Sequence, residues 1–270
     1  MKPYPVCYIF CYDEHDFDGA LLRLKLSISS LPSNKSITIL TWHDSLPSLL
    51  NTCSNIRYIF VQQQAFSRSF FINYIAKYLA ETTDLCYFYL ADTDLFFHPF
   101  YFSWLDKICL RLDSFRADLR VITSNINLFP ECKIPHIPRI LLPRTLKYFP
   151  QLFRWTPPSS FSDIIKLRHA ASNFAHGCGL IPIAPLLRIG GYNSEIVGYG
   201  PEDDLFNQRL KNYARIYYHK GSLVSSTFHI PHKPLQQQNK KKNWMYWSDS
   251  LSHQALHGAF SDTVIRVHDL

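Results

Sequence analysis

Paired carboxylates stand at two places in this 270-residue chain where they could act on a ligand. Glu202 and Asp203 follow a glycine-punctuated turn, in the segment GGYNSEIVGYGPEDDLFNQRL, and stand where a helix is predicted to begin. Pro201 suits a first helical position, and the glycines of the turn let the backbone pass close to a ligand. Acidic residues in a first helical turn are also favoured by the helix dipole, so a simple charge match explains this pair equally well when it is taken alone.

The second pair, Asp92 and Asp94, ends the apolar run LCYFYLADTDLFFHPF, which predicts a buried strand. Because residues i and i+2 of a strand point to the same side, we expect the two carboxylates to converge on one point. Such a pair would repel unless a cation or hydrogen-bond donors compensated it, and a divalent cation bound with a diphosphate is a common solution. A lone D-x-D is frequent by chance, and the alternative is a strand-end turn with solvated carboxylates.

A helix is predicted directly before this strand, in the segment FSRSFFINYIAKYLAE, because its apolar residues follow helical spacing. This segment contains Phe66, Arg68 and Asn73. An arginine at this place is suited to clamp a nucleotide or diphosphate through paired hydrogen bonds. The chain therefore presents three signals in order: this helix, the D-x-D strand, and the glycine turn with its acidic pair.

An F-x-R-x-x-x-x-N helix, a strand that ends in D-x-D and a G-G-[FY]…G-[WY]-G-x-E-D segment, in this order, resemble the β-1,4-galactosyltransferase-type glycosyltransferases. The resemblance covers residues 60–100 and 175–235. It implies a GT-A fold, a UDP-sugar donor, Mn²⁺ or another divalent cation as cofactor, and inversion at the anomeric carbon.

The resemblance also implies roles for individual residues. Asp203 would take the proton from the acceptor hydroxyl, and Glu202 would orient the acceptor or the base. The donor-binding residues would be Phe66, Arg68, Asp92 and Asp94, and the acceptor-binding residues would be Tyr199, Gly200 and Glu202.

A further metal ligand is implied near the end of the catalytic domain, where the family has a histidine with a partner three residues before it. His229 and His232 show that spacing, and with Asp94 they would hold the metal. Mixed carboxylate and imidazole ligands suit Mn²⁺ better than a closed thiolate zinc site. Pro231 disfavours a regular helix, so we expect a loop to set the geometry. The alternative is two ordinary surface histidines, since H-x-x-H constrains little.

The chain departs from the family pattern at three places. Leu205 stands where the family often has a later acidic residue, and Tyr199 replaces a common tryptophan, which keeps a ring face for a sugar. After the first predicted strand, Asp13, Glu14 and His15 stand where the family has a basic donor-binding turn. The acidic pair itself is intact.

The fold class follows from the first hundred residues, where four short apolar runs alternate with polar or helical stretches: VCYIFCY, ITILTW, IRYIFV and CYFYLA. This pattern predicts a parallel sheet of βαβ units with a ligand cleft beyond the strand carboxyl ends. The resemblance implies an α/β fold of the GT-A type, with a Rossmann-like mixed, mostly parallel sheet flanked by helices. We expect one GT-A domain over 1–270. It would comprise a nucleotide-sugar-binding half over about 1–100, an insertion or lid over about 101–175, and an acceptor and catalytic half over about 176–270.

The net charge of +7 comes largely from 130–158 and from 233–247, where basic and aromatic residues are mixed. Such segments could contact an anionic membrane surface or a lipid-linked acceptor, and a solvated loop is the alternative. No nucleic acid partner is expected. The proline-rich segment 130–158 is too long for a simple connection and suggests a lid or acceptor-side insertion.

The seven cysteines are odd in number, include no C-x-x-C pair and lie partly in apolar runs. This favours reduced thiols, a reducing compartment and a cytoplasmic location, with peripheral contact at the inner face of the membrane as an option. No stretch approaches the ~20 apolar residues of a membrane span, so no membrane anchor is expected.

The sequence therefore predicts a metal-dependent inverting glycosyltransferase that acts in surface glycan synthesis. It would move a hexose or N-acetylhexosamine from a UDP-sugar to a saccharide or lipid-linked saccharide. One alternative is a catalytically silent carbohydrate-binding or scaffolding protein on the same fold, which Leu205 and the missing basic turn favour. The other is a metal-dependent hydrolase that uses the same Asp and His cluster and needs no acceptor.

Overall fold

The computed structural model describes residues 4–10, 17–42, 46, 50, 55–61, 67–98, 100–113, 118–127, 172–174, 177–198, 200–219, 227–230 and 265–269. Three of the predicted site residues lie outside these ranges, namely Phe66, Tyr199 and His232. The segments 130–158 and 233–247 also lie outside them, so the lid and membrane-contact hypotheses stay predictions.

Four parallel strands form the amino-terminal part of the sheet. They are β1 (Val6–Phe10), β2 (Ile37–Thr41), β3 (Ile56–Val61) and β4 (Tyr87–Ala91), in the spatial order β3-β2-β1-β4. Every residue of β1 and β2 is buried, as expected for parallel strands covered on both faces. The four apolar runs of the sequence thus correspond to these four strands.

Two helices cover the opposite faces of this parallel part. They are α1 (Phe17–Ser29) and α2 (Arg68–Thr82). Alternate residues of β1 point to opposite faces, so Tyr8 shares a core cluster with Leu24 of α1, whereas Ile9 shares another with Ile72 of α2. This packing holds the beginning of α2 beside the carboxyl ends of the strands.

The remaining elements complete a sheet of mixed direction. The strands are β5 (Leu95–Phe97), β6 (Leu119–Asn127), β7 (Ser172–Phe174), β8 (Gly179–Pro182), β9 (Arg215–His219), β10 (Thr227–His229) and β11 (Ile265–Asp269). The helices are α3 (Tyr101–Asp113), α4 (Ile183–Arg188) and α5 (Glu202–Leu210).

The eleven described strands form one sheet in the order β11-β3-β2-β1-β4-β8-β6-β10-β5, with β7 and β9 also paired to β6. β8 joins the two halves because it pairs antiparallel with both β4 and β6. The predicted α/β class is confirmed, with a Rossmann-like mixed sheet flanked by helices, and the GT-A assignment stays a prediction. Among the described residues, no helix is both long and apolar enough to cross a bilayer.

Candidate active site

Arg68, the first residue of α2, joins three segments of the chain at the carboxyl end of β4. Its Nη1 donates to Oδ1 of Asp203 at 2.6 Å, and its Nη2 donates to Oδ1 of Asp92 at 3.1 Å and to the carbonyl of Gly177 at 3.1 Å. The Arg68 side chain is only 15% exposed, whereas those of Asp203 and Asp92 are 25% and 43% exposed. A buried cation thus holds two carboxylates that remain accessible to a ligand.

Ser67 fixes the start of α2 and therefore the position of Arg68. Its Oγ accepts a hydrogen bond from the backbone N–H of Phe70 at 3.3 Å, which satisfies one donor at the helix end. The same hydroxyl donates to the carbonyl of Ile196 at 3.1 Å. The helix end is consequently attached to the turn that precedes the acidic pair.

Asn73, on the same helix, makes a second attachment to that turn. Its side chain is buried and makes two hydrogen bonds to the backbone of Tyr192. Nδ2 donates to the carbonyl at 2.9 Å, and Oδ1 accepts from the N–H at 2.6 Å. Gly191 has φ +76°, and a Cβ there would come within 3.0 Å of Oδ1 of Asn73. Glycine is therefore required at 191 for conformation and for space. Of the F-x-R-x-x-x-x-N pattern, Arg68 therefore belongs to the site, whereas Asn73 holds the turn that leads to the acidic pair.

The acidic pair begins α5, as the sequence predicts, with Pro201 as the residue that precedes the first helical turn. Glu202 and Asp203 are neighbours in different surroundings. Asp203 meets Arg68, whereas Glu202 is only 7% exposed and its Oε2 has no hydrogen-bond partner among the described residues. Burial, and then the negative charge of Asp203, raise the pKa of Glu202 to about 7. One carboxyl is thus ion-paired, and the other titrates near neutral pH.

Asp92 and Asp94 differ from the sequence expectation in one respect. β4 ends at Ala91, so both residues lie in the turn before β5 and the alternation of a strand does not apply to them. Each carboxylate has a different partner: Asp92 meets Arg68, and Oδ2 of Asp94 lies 3.2 Å from Nε2 of His229. The two carboxylates therefore have separate partners, and their convergence on one point stays a prediction.

The pairing of β10 with β5 brings His229 to Asp94. In this antiparallel ladder His229 is opposite Leu95, and the N–H of Ile230 donates to the carbonyl of Asp94 at 2.7 Å. His229 is the last residue of a strand, so sheet register sets its position, and the prediction of a loop was wrong for this residue. A carboxylate oxygen and an imidazole nitrogen are both suitable ligand atoms for Mn²⁺. The described residues contain no group of three His, Cys, Asp or Glu side chains that could hold a metal.

Arg120 lies beneath the site and is not indicated by any motif. It is completely buried on β6 and donates to the carbonyls of Val121, Cys178 and Leu180 at 2.9 to 3.1 Å, and to Oδ1 of Asn207 on α5 at 3.3 Å. These bonds fix α5 and the segment before β8 against β6. A charged residue inside the apolar stretch LRVIT was the only signal that sequence reasoning could have used.

Gly177 and Cys178 also contribute to the site without having been predicted. A Cβ at Gly177 would come within 3.0 Å of Oδ2 of Asp203 and of both terminal nitrogens of Arg68. The Cys178 thiol is completely buried, and burial together with the charge of Asp92 raises its pKa well above the ordinary value. These surroundings favour the protonated thiol, which is a weaker nucleophile than the thiolate.

The structure accordingly brings most of the described candidates together. Arg68, Asp92 and Asp203 are in direct contact, Glu202 adjoins them, and Asp94 meets His229. Gly200 lies directly before Pro201 and is half-buried.

No family model matches the chain, and no curated protein matches it. Among solved structures, a crystal structure of S. aureus TarS 1-349 is similar, with a TM-score of 0.47 and 13% identity. The similar region covers 84% of this chain and 60% of that chain, so this chain spans well under the full length of the TarS structure. At this level of similarity, no residue role is transferred from one chain to the other.

Proposed function

We propose that this protein is a metal-dependent inverting glycosyltransferase that moves a hexose or N-acetylhexosamine from a UDP-sugar to a saccharide acceptor. One observation carries the proposal. Arg68 bonds at the same time to Asp92, 24 positions away, and to Asp203, 135 positions away. The F-x-R, D-x-D and E-D motifs therefore contribute to one site at the carboxyl ends of parallel strands, where α/β proteins bind nucleotides.

On the donor side, the planar guanidinium of Arg68 matches the geometry of a diphosphate. Asp92 is the most exposed of the three linked side chains, and its carboxylate can accept hydrogen bonds from ribose or sugar hydroxyls. Gly177 is part of the wall beside Arg68, since its missing side chain leaves room for the guanidinium. Phe66 is proposed as a further donor contact from the sequence alone.

On the acceptor side, Asp203 would remove the proton from the attacking hydroxyl as the new glycosidic bond forms opposite the leaving diphosphate. Glu202, with its pKa of about 7, is partly protonated at neutral pH, so it can donate a hydrogen bond to the acceptor or to Asp203. Two neighbouring carboxyls with different environments suit two different tasks. Tyr199 and Gly200 would form the floor of the acceptor subsite.

Asp94 and His229 are the described residues that would hold the divalent cation, with His232 as a proposed third ligand. When it is bound, such a cation supplies Lewis-acid neutralisation of the diphosphate. The mixed oxygen and nitrogen donors support Mn²⁺ in this place. A lipid-linked acceptor and peripheral membrane contact through 130–158 and 233–247 are part of the same proposal.

The test is a panel of nucleotide sugars, first by thermal shift with Mn²⁺ or chelator and then by turnover with saccharide acceptors. A selective donor should raise the melting temperature through mass action. Asp203→Asn should lower kcat by roughly 10²-fold or more, the scale of a lost general base. Asp204→Asn, one position further on the same helix, is the matched control and should change kcat far less.

Three results would contradict parts of this proposal. Near-normal turnover by Asp203→Asn would remove Asp203 from its role. Release of free sugar that does not depend on an acceptor would indicate the metal-dependent hydrolase. Binding of sugars without turnover of any nucleotide sugar would indicate the silent carbohydrate-binding protein.

A further inference from the structure

Arg68 has two tasks in the proposed reaction. The guanidinium suited to the donor diphosphate is already bonded to the carboxylate proposed as the base, with Nη1 of Arg68 2.6 Å from Oδ1 of Asp203. The Oδ1 lone pair that accepts this hydrogen bond cannot at the same time accept the proton of an acceptor hydroxyl. In this structure Asp203, the proposed base, is therefore held by Arg68.

The contact between Arg68 and Asp203 depends on the space that the absence of a side chain at Gly177 leaves. The carbonyl of Gly177 accepts from Nη2 of Arg68, and a Cβ at 177 would come within 3.0 Å of both partners of the ion pair. Gly177 is not among the described glycines with positive φ, so space and not backbone conformation accounts for glycine here. The atoms that crowd this position are the ends of two flexible side chains.

We infer that Asp203 and the donor diphosphate compete for Arg68, so that donor binding releases the Asp203 carboxylate, and that Gly177 is the positioning residue that makes this exchange possible. The inference rests on the proposed function. In the exchange, the ion pair between Arg68 and Asp203 opens and the guanidinium bonds to the diphosphate oxygens. Asp203 can then accept the acceptor proton. The donor would consequently bind before the acceptor is activated.

Competition predicts that removing the charge of Asp203 strengthens diphosphate binding. Asp203→Asn should tighten UDP, and inorganic pyrophosphate, on the order of 3- to 10-fold, the scale of one partly exposed ion pair. The measurement is titration calorimetry at constant Mn²⁺ concentration. Melting temperatures of all variants establish that each is folded.

Simple repulsion between Asp203 and a diphosphate would also tighten binding in this variant, and a double-mutant cycle separates the two causes. In an Arg68→Met background, competition predicts that Asp203→Asn changes UDP affinity by less than about 2-fold, because the shared partner is gone. Repulsion predicts the same tightening in both backgrounds. If Arg68→Met does not fold, Arg68→Gln replaces it, since its neutral amide also removes the shared cation.

Gly177→Ala fills the space at this position without changing any charge, and so tests whether the contact needs it. The added methyl group should separate Arg68 from Asp203, so Asp203→Asn should have little further effect on UDP affinity in this background. Gly179→Ala is the matched control, two residues away. Its φ is +114° and its Cβ would come within 3.0 Å of the Val121 backbone oxygen, so it should lower the melting temperature and keep the coupling.

The results distinguish this inference from the proposed function. Unchanged or weaker UDP binding by Asp203→Asn, or full tightening in the Arg68→Met or Gly177→Ala background, overturns the inference and leaves the proposed function standing. A wild-type protein that binds neither UDP nor pyrophosphate overturns both. Tightening that disappears in both backgrounds supports the exchange.

Discussion

Glu202 provides a prediction whose size can be worked out from the structure. The carboxyl is buried beside Asp203, and its pKa rises from an ordinary value of 4.5 to about 7. Between these two values the folded protein keeps Glu202 protonated, whereas the unfolded chain ionises it. The free energy of unfolding therefore decreases as the pH rises from about 4.5, and the whole penalty is present above about 7.

Glu202→Gln removes this penalty because the amide has nearly the same shape and never ionises. One pKa unit corresponds to ~1.4 kcal/mol, so the shift sets an upper limit of about 3 kcal/mol. Relaxation of the surroundings around the charged form reduces this value, and we expect about 1 to 3 kcal/mol at pH 8. Near pH 4.5 the two proteins should differ little from this cause.

The assay is urea denaturation of wild type and Glu202→Gln at pH 4.5, 6 and 8. The stability of the variant relative to wild type should increase with pH over this range. Glu195→Gln is the matched control: Glu195 is exposed, so its replacement should give a small difference that is nearly the same at each pH. A stability difference for Glu202→Gln that is constant with pH, or that decreases as the pH rises, would refute the reasoning.

Two further predictions concern the metal ligands and the support of the turn. UDP affinity, measured by calorimetry, should increase with Mn²⁺ in the wild type, and Asp94→Ala should remove most of that increase. Equal UDP affinity in Mn²⁺ and in chelator would argue against a metal site at Asp94 and His229. Asn73→Ala should lower the free energy of unfolding by about 2 to 4 kcal/mol, because the N–H and carbonyl of Tyr192 lose their buried partners. Denaturation curves of Asn73→Ala that coincide with those of the wild type would contradict this prediction.

The elements of the parallel part could be predicted from the sequence because local patterns determine them. Continuous apolar runs correspond to β1 to β4, and helical spacing of apolar residues corresponds to α2. Pro201 and the acidic residues mark the beginning of α5. In each case the relevant residues lie within a few positions of one another.

The contacts within the site could not be predicted in the same way. The bond of Arg68 to Asp203 joins residues 135 positions apart, and sequence spacing says nothing about that distance in space. The argument for convergence of Asp92 and Asp94 assumed a strand that in fact ends at Ala91. The burial of Glu202 was also missed, because the helix-dipole argument is satisfied by an exposed carboxylate.

Arg120 has a consequence for how the molecule folds. Its acceptors belong to β6, to the segment before β8 and to α5, and they lie up to 87 positions away along the chain. A buried guanidinium without its acceptors is strongly unfavourable, so a folding intermediate with only part of this arrangement is penalised. The pairings of β1 with β2 and of β2 with β3 span shorter stretches of chain and can form earlier, whereas these long-range bonds close late. We therefore expect α5, β6 and β8 to assemble as one cooperative unit, so that a refolding chain acquires Glu202 and Asp203 in their final positions in a single late step.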